Sequence, residues 1–244
     1  YATLEPCNHH GKTPPCSEAI LQAGIRTVVY GVSDPHPEAG GGARRLRAAG
    51  VEVLAGVLGA ECAEQNAPFF KRLATGLPLC SAKWAMSLDG KIAAAGGDSQ
   101  WITSPAARAR AHQLRARHDA VLVGIGTVLR DSPRLTVRDP SDREAWNGWQ
   151  PWRVILDALA RTPASGPLWE APGAGPLLIA VSRGAPQERL DCLAQAGASL
   201  LRLETDETRL PLREVLRLLA ARGLQSVLVE GGSERWISVR NGFQ

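Results

Sequence analysis

What most restricts the fold of this chain is a repeated alternation of short β-forming runs with helix-forming runs, punctuated by glycine and proline. Thr27, Val28, Val29, Tyr30 and Val32 are β-branched, aromatic or both in pattern, which suits a pleated strand over residues 26–32. A short helix over 17–23 precedes it and stops at Gly24, where glycine accepts the left-handed backbone of a helix end. A helix over 43–49 stopped by Gly50 follows, then a strand over 51–54. A helix over 61–74 comes next, which Pro68 must bend or break because it lacks a backbone N–H. Two prolines and three consecutive glycines make residues 33–42 a turn-rich loop. Strands alternating with helices of this size predict an α/β fold of three layers with mostly parallel strands.

A Gly/Pro break at Thr75, Gly76, Leu77 and Pro78 divides the chain into expected domains over 1–76 and 77–244. The alternation then resumes with a strand over 79–86 and a helix over 102–118. Ser104 is a good N-cap for that helix, and Pro105 fits its first turn. Further strands are predicted over 119–123, 153–156, 177–181, 199–203 and 226–229, and helices over 187–196 and 212–221. The apolar runs 120–129 and 177–181 read as buried strands, and 139–150 as a surface insertion.

At 244 residues, 44% hydrophobic and 21% charged, the chain excludes disorder, collagen and coiled coil. No apolar run approaches the ~18 residues of a membrane helix. Five cysteines are too few for a disulfide scaffold and suit a reducing cytoplasm. No signal peptide is visible at Tyr1. Both ends fall inside unfinished elements, so a fragment of a longer protein is expected. The net charge of +4 includes a cluster of Arg108, Arg110, Arg115 and Arg117, but aromatics are only 5% and are not interleaved with it. That balance favours anionic small molecules over nucleic acid.

The segment from Thr3 to Cys16, TLEPCNHHGKTPPC, places two cysteines and two histidines within ten residues. Cys16 lies just before a predicted helix, whose free N–H groups favour a thiolate. Thiolates and imidazoles are zinc ligands, and a catalytic zinc keeps three protein ligands and one open position. The plain alternative is a pair of ordinary thiols in a polar loop. In the second half, polar and glycine-bearing segments sit at strand ends, where open α/β sheets bind ligands. They are MSLDG (86–90), SQWITS (99–104), GTVLRDSPRLTVR (126–138) and VEGG (229–232). Arg115 and Arg138 offer forked donors suited to a phosphate, whereas Arg108, Arg110 and Arg117 read as solvated surface.

The cysteine segment resembles the zinc motif of the cytidine-deaminase superfamily in its riboflavin-biosynthesis branch. The later segments, in this order, resemble the reductase domain of the same family, which has a dihydrofolate-reductase-like fold. The resemblance covers nearly the whole chain and weakens after Ser233. It implies a truncated cytidine-deaminase-like three-layer domain followed by a dihydrofolate-reductase-like α/β domain that is incomplete at its C-terminus. Cys7 and Cys16 would ligate Zn2+. The third ligand and the proton-shuttling Glu belong to a His-Ala-Glu motif expected upstream of Tyr1, so no catalytic residue of the deamination is expected within this chain. His36-Pro37-Glu38 cannot replace it, because Pro37 and its turn neighbours deny the two side chains a common helical face.

By the same likeness Ala85, Trp101, Thr127, Asp131, Gly231 and Gly232 would contact NADPH. Ser99, Arg115, Leu135, Arg138 and Glu230 would hold a phosphoribosyl pyrimidine. The implied enzyme is bifunctional: it deaminates a diamino-pyrimidinone ribose phosphate, then reduces the ribosyl group to ribityl. It acts on a small phosphorylated pyrimidine, without nucleic acid or membrane, as a homo-oligomer when full length. Arg183, following a strand, is a further expected contact of the cofactor's adenosine phosphate. Three alternatives stay open: a stand-alone reductase with a vestigial first half, a nucleic-acid deaminase, and a zinc-stabilised module that binds through the arginine-rich helix.

Overall fold

The computed structural model describes residues 1–11, 13–93, 101–138 and 148–231. The chain divides into two compact units, Tyr1–Gly76 and Leu77–Gln244.

In the first unit, β1 (Ala2–Leu4), β2 (Thr27–Val32) and β3 (Glu52–Ala55) form a parallel sheet with β2 in the centre. Its register pairs Leu4 with Val32 and Val28 with Val53. Buried Val28, Leu46 and Val51 make a small core, packed by Ile20 and Leu21 of α1 (Cys16–Gln22) and by α2 (Gly42–Ala48). A Cβ on Gly42 would lie 1.8 Å from the carbonyl oxygen of Pro6, so only glycine lets α2 start this close to the cysteine segment. The helix predicted over 61–74 is two helices, α3 (Gly59–Gln65) and α4 (Ala67–Thr75), meeting at Asn66. Pro68 falls in the first turn of α4, where its missing N–H leaves no ladder bond unmade.

The second unit is built on six parallel strands in the order β4-β9-β5-β6-β7-β8. They are β4 (Leu79–Lys83), β5 (Ala120–Gly124), β6 (Trp152–Leu156), β7 (Leu177–Ser182), β8 (Ser199–Leu203) and β9 (Ser226–Glu230). Side chains alternate across the sheet, and both faces are covered. Leu122, Val154, Leu178 and Val227 pack on one face against Val215, Leu216 and Leu219 of α8 (Leu212–Ala221). Val121, Val123, Ile155 and Ile179 pack on the other against Leu190 and Leu193 of α7 (Gln187–Gln195). Each fully buried side chain of this size contributes roughly 1.5–3 kcal/mol, so this unit owes its stability to the double-sided core.

Helix α5 (Pro105–Ala116) begins as the sequence predicts, with the Ser104 hydroxyl accepting the Ala107 N–H at 3.2 Å. The run 120–129 differs. It is a strand only to Gly124, then becomes α6 (Ile125–Asp131), which buries Ile125 and Val128 three residues apart. The strand predicted over 79–86 ends at Lys83, and the chain beyond it turns along the ends of the sheet. Of the predicted insertion, residues 139–147 lie outside the described residues. Its far end is anchored, since the Gln150 amide accepts the Val137 N–H at 2.9 Å and donates to the Val137 carbonyl at 3.0 Å. Among the described residues no helix is long and apolar enough to cross a membrane.

Candidate functional site

In a parallel sheet all strands end on the same side, and ligands bind there because the following loops diverge. In the second unit that side holds a cleft of about 1280 Å³. Its walls include Lys83 at the end of β4, Glu230 and Gly231 at the end of β9, the α6 segment, and the inner face of α5. Nine predicted residues line it together: Ala85, Trp101, Thr127, Asp131, Gly231, Arg115, Leu135, Arg138 and Glu230. Ser99 and Gly232 lie outside the described residues.

The charge of the lining is one-sided. Among the described lining residues, Lys83, Arg108, Arg115, Arg130, Arg134, Arg138, Arg161 and Arg209 stand with two carboxylates, Asp131 and Glu230, and Arg161 lies 4.0 Å from Asp157. Low-dielectric walls focus such a field and concentrate an anionic ligand. Partial burial pushes the Asp131 carboxyl up, against the opposing pull of Arg130.

At the floor of the cleft Arg115 and Glu230 form a two-pronged pair. Nε donates to Oε1 and Nη2 to Oε2, both at 2.7 Å, while Nη1 donates to the Thr136 carbonyl at 3.0 Å. Burial opposes the charge on Glu230, yet the Arg115 guanidinium, with Lys83 and His112 nearby, holds its carboxyl below the usual range. The forked donor that the sequence offers at Arg115 is therefore already engaged. The Arg115 fork serves Glu230 and Thr136, so Arg115 can meet a phosphate only as one member of a neutralised pair. Arg138 is less committed: its Nη1 reaches the Thr136 hydroxyl at 3.4 Å, and its backbone N–H donates to His112 Nδ1 at 3.3 Å. Burial pushes the Arg138 pKa down, and repulsion from Arg115 and Arg134 adds to it.

Leu135 is buried at 1% exposure with a left-handed backbone, φ +56°. A non-glycine residue there costs on the order of 1–3 kcal/mol, which the burial of its side chain in the core offsets. The reversal at Leu135 separates Arg134 from Thr136 and Arg138, and both arginines still face the cleft.

Arg108 corrects the expectation of solvated surface. It is not idle surface: its guanidinium lies 4.5 Å from the centre of the Trp101 ring, and Nη1 donates to the Thr103 carbonyl at 2.8 Å. This stack positions an otherwise exposed tryptophan at the cleft. Spacing could have shown it, because Arg108 and Arg115 are seven residues apart and share a face of α5, while Arg110 lies on another. Lys83, Arg130, Arg134 and Arg161 also escaped the sequence reasoning. Arg183, expected at the adenosine phosphate, stands apart from these residues. It lies outside the cleft lining, on the surface, where its fork binds Asp206 at 3.0 and 3.1 Å with Glu204 at 3.8 Å.

In the first unit the structure brings Cys7 and Cys16 together: the Cys16 N–H donates to the Cys7 sulfur at 3.3 Å. Buried Glu5 organises the neighbouring loops by accepting the N–H groups of Asp34, Gly41 and Ala43. A hydrogen bond with the Cys7 thiol and burial push the Cys16 thiol up. His9 and His36 stack with ring centres 6.3 Å apart. Among the described residues no three His, Cys, Asp or Glu side chains gather into a metal-holding group. A catalytic zinc needs three protein ligands. Cys7 and Cys16 would supply two of the three, and no metal-dependent step is derived from these two alone.

Among the described residues, six parallel strands covered by helices on both faces, with a cation-rich cleft at the strand ends, make the second unit an α/β domain. Residues 78–236 match the RibD C-terminal domain family, and the chain belongs to that family. Over 234 residues it is 45% identical to the riboflavin biosynthesis protein RibD of Bacillus amyloliquefaciens, covering 96% of this chain and 61% of that protein. A Thermotoga maritima structure superposes with a TM-score of 0.81 at 37% identity, covering 98% of this chain and 63% of that one. That protein is a diaminohydroxyphosphoribosylaminopyrimidine deaminase/5-amino-6-(5-phosphoribosylamino)uracil reductase. Acinetobacter baumannii RibD superposes with a TM-score of 0.80 at 36% identity, over 98% of this chain and 64% of that one. The chain thus spans less than two thirds of the length of these relatives.

Proposed function

We propose that residues 77–244 are a reductase domain of riboflavin biosynthesis that uses NADPH to convert the ribosyl group of a phosphorylated aminopyrimidine to ribityl. The observation that carries this reading is the excess of cations in the strand-end cleft of a chain belonging to the RibD C-terminal domain family. Two phosphorylated ligands, a dinucleotide and a sugar phosphate, call for such a lining. Ala85, Trp101, Thr127, Asp131, Gly231 and Gly232 are assigned to the cofactor, and Ser99, Arg115, Leu135, Arg138 and Glu230 to the substrate. NADPH supplies the hydride, and one proton from solvent completes the balance. The residues of the chain contribute placement. The Arg115–Glu230 pair fixes the cleft floor with both charges already satisfied. Arg108 keeps the Trp101 ring in position, and Arg138 remains for the phosphate.

We assign residues 1–76 to the zinc-dependent deaminase part of such a bifunctional enzyme, with Cys7 and Cys16 as two of its zinc ligands. The support is the TLEPCNHHGKTPPC segment and the contact between the two cysteines. Zinc bound in equilibrium dialysis should fall in Cys7→Ser; unchanged binding would remove the thiols from the assignment. Five free thiols suit a reducing, cytoplasmic location, and a homo-oligomer is the assembly we expect.

The decisive experiment mixes the chain with NADPH and 5-amino-6-(5-phosphoribosylamino)uracil and follows nicotinamide absorbance. Loss of absorbance matched by ribityl product is expected. Absence of both NADPH binding and turnover would end the reductase reading.

A further inference from the structure

We propose that Arg134 is a second phosphate-gripping residue beside Arg138, setting the preference of the cleft for a phosphorylated sugar over the same sugar without phosphate. The inference rests on the reading of this cleft as a sugar-phosphate site and adds to it a residue that no motif marks.

Arg134 and Arg138 both line the large cleft and also an adjoining cavity of about 230 Å³. That volume is below the range of whole-ligand pockets, roughly 300–1,000 Å³, so it suits one substituent of a ligand. A whole dinucleotide is too large for it, whereas a single phosphate is not. Thr136, Gln150 and Glu170 add polar groups to the cavity lining, beside Val137, Ala171 and Pro172. Gln150 is held by both its bonds to Val137, which fixes one wall.

The charges do not balance. Arg115 is neutralised by Glu230. Among the described residues, neither Arg134 nor Arg138 has a carboxylate within ion-pair distance, although Glu170 lines the same cavity. Two guanidiniums lining one cavity repel, and Arg138 is pushed down first by burial, then by Arg115 and Arg134. Such a pair is stabilised by an anion carrying more than one charge. A phosphate monoester carries about −1.5 to −2 at neutral pH and presents three acceptor oxygens, and arginine forks match it in geometry. The left-handed backbone at Leu135 lets residues on either side of a buried leucine present their side chains to one cavity.

The same chemistry could come from the phosphates of the dinucleotide, so the experiment separates the two sources. Titration calorimetry on the whole chain would use three ligands: 5-amino-6-(5-phosphoribosylamino)uracil, the same compound with its phosphate removed, and NADPH. The proteins are wild type, Arg134→Ala, Arg134→Lys and Arg222→Ala, the last removing the same charge outside both cavities. We expect Arg134→Ala to weaken the phosphorylated compound about ten-fold, the worth of one charge-assisted bond, and to leave the dephosphorylated compound and NADPH unchanged. Arg134→Lys should recover part of the loss, because it restores the charge without the fork. Equal loss for both pyrimidines, loss confined to NADPH, an equal loss in Arg222→Ala, or no binding of the phosphorylated compound by wild type would each overturn the proposal. Failure of the reductase reading looks different: no NADPH binding, with phosphate binding that still depends on Arg134.

Discussion

Two arginines near the strand ends of the second unit make the same bond in opposite surroundings. Arg115 closes its fork on Glu230 with side-chain exposures of 13% and 8%, and Arg183 closes its fork on Asp206 with exposures of 61% and 73%. The chemistry is alike, but the energetics differ. In the buried pair, removing one partner strands the other charge without water, so breaking it is costly even though forming it gains little. In the exposed pair, water and salt replace either partner. The first fixes the shape of a cleft, while the second leaves the fold almost untouched.

The largest effect should therefore follow Glu230→Ala. It leaves the Arg115 guanidinium buried against a void, and should lower the free energy of unfolding in urea by about 3–5 kcal/mol. A loss no larger than that of a surface substitution would break the contrast. Arg153 supplies an intermediate case. Its guanidinium is buried and donates to the carbonyls of Gly175, at 3.0 Å, and Leu168. Among the described residues it has no carboxylate partner, and burial pushes its pKa down. Arg153→Lys cannot reach both carbonyls with one ammonium and should cost about 1–3 kcal/mol. A neutral result would mean that water takes the place of the missing donor.

Glu230 also gives the contrast a pH axis. Its folded pKa lies below the ordinary value of 4.5, so the carboxylate contributes its full stabilisation above that pH. The contribution is lost as pH falls through the depressed folded value. Glu230→Gln has no such titration. The stability gap between wild type and Glu230→Gln, on the order of 1–3 kcal/mol, should be widest near neutrality and shrink only below about pH 4.5. A gap constant down to pH 3 would show that shape, rather than charge, holds the pair.

Much of the fold was legible because it is local. The Ser104–Pro105 helix start, the bounds of α8, and the β-branched runs of β2 and β7 each depend on neighbours a few residues apart. The switch from strand to helix at Gly124 was not, because a short apolar run has the same composition whether its period is two or three and a half. At the cleft, the motifs drew attention to residues that do gather there, but not to which partners they already have. The Arg115 fork is taken by a carboxylate 115 positions away, and no local pattern encodes that pairing. Arg134 was missed for a related reason. Its neighbours in sequence give no sign that the backbone reverses at Leu135 and brings it to the same cavity as Arg138.

The smallest effect is expected at Arg183, and it is the most discriminating. Arg183→Ala removes a two-pronged bond of the same kind as the one at Arg115, at 3.0 and 3.1 Å. Because solvent already competes for both partners, the unfolding midpoint should stay within experimental error. Because Arg183 is absent from the cleft lining, the Michaelis constants for NADPH and NADH should keep their wild-type ratio. A selective rise in the NADPH constant would mean that Asp206 releases Arg183 to the adenosine phosphate when cofactor binds. The exposed pair would then be a latch held ready for the ligand, and exposure would mark availability for binding as well as energetic weakness.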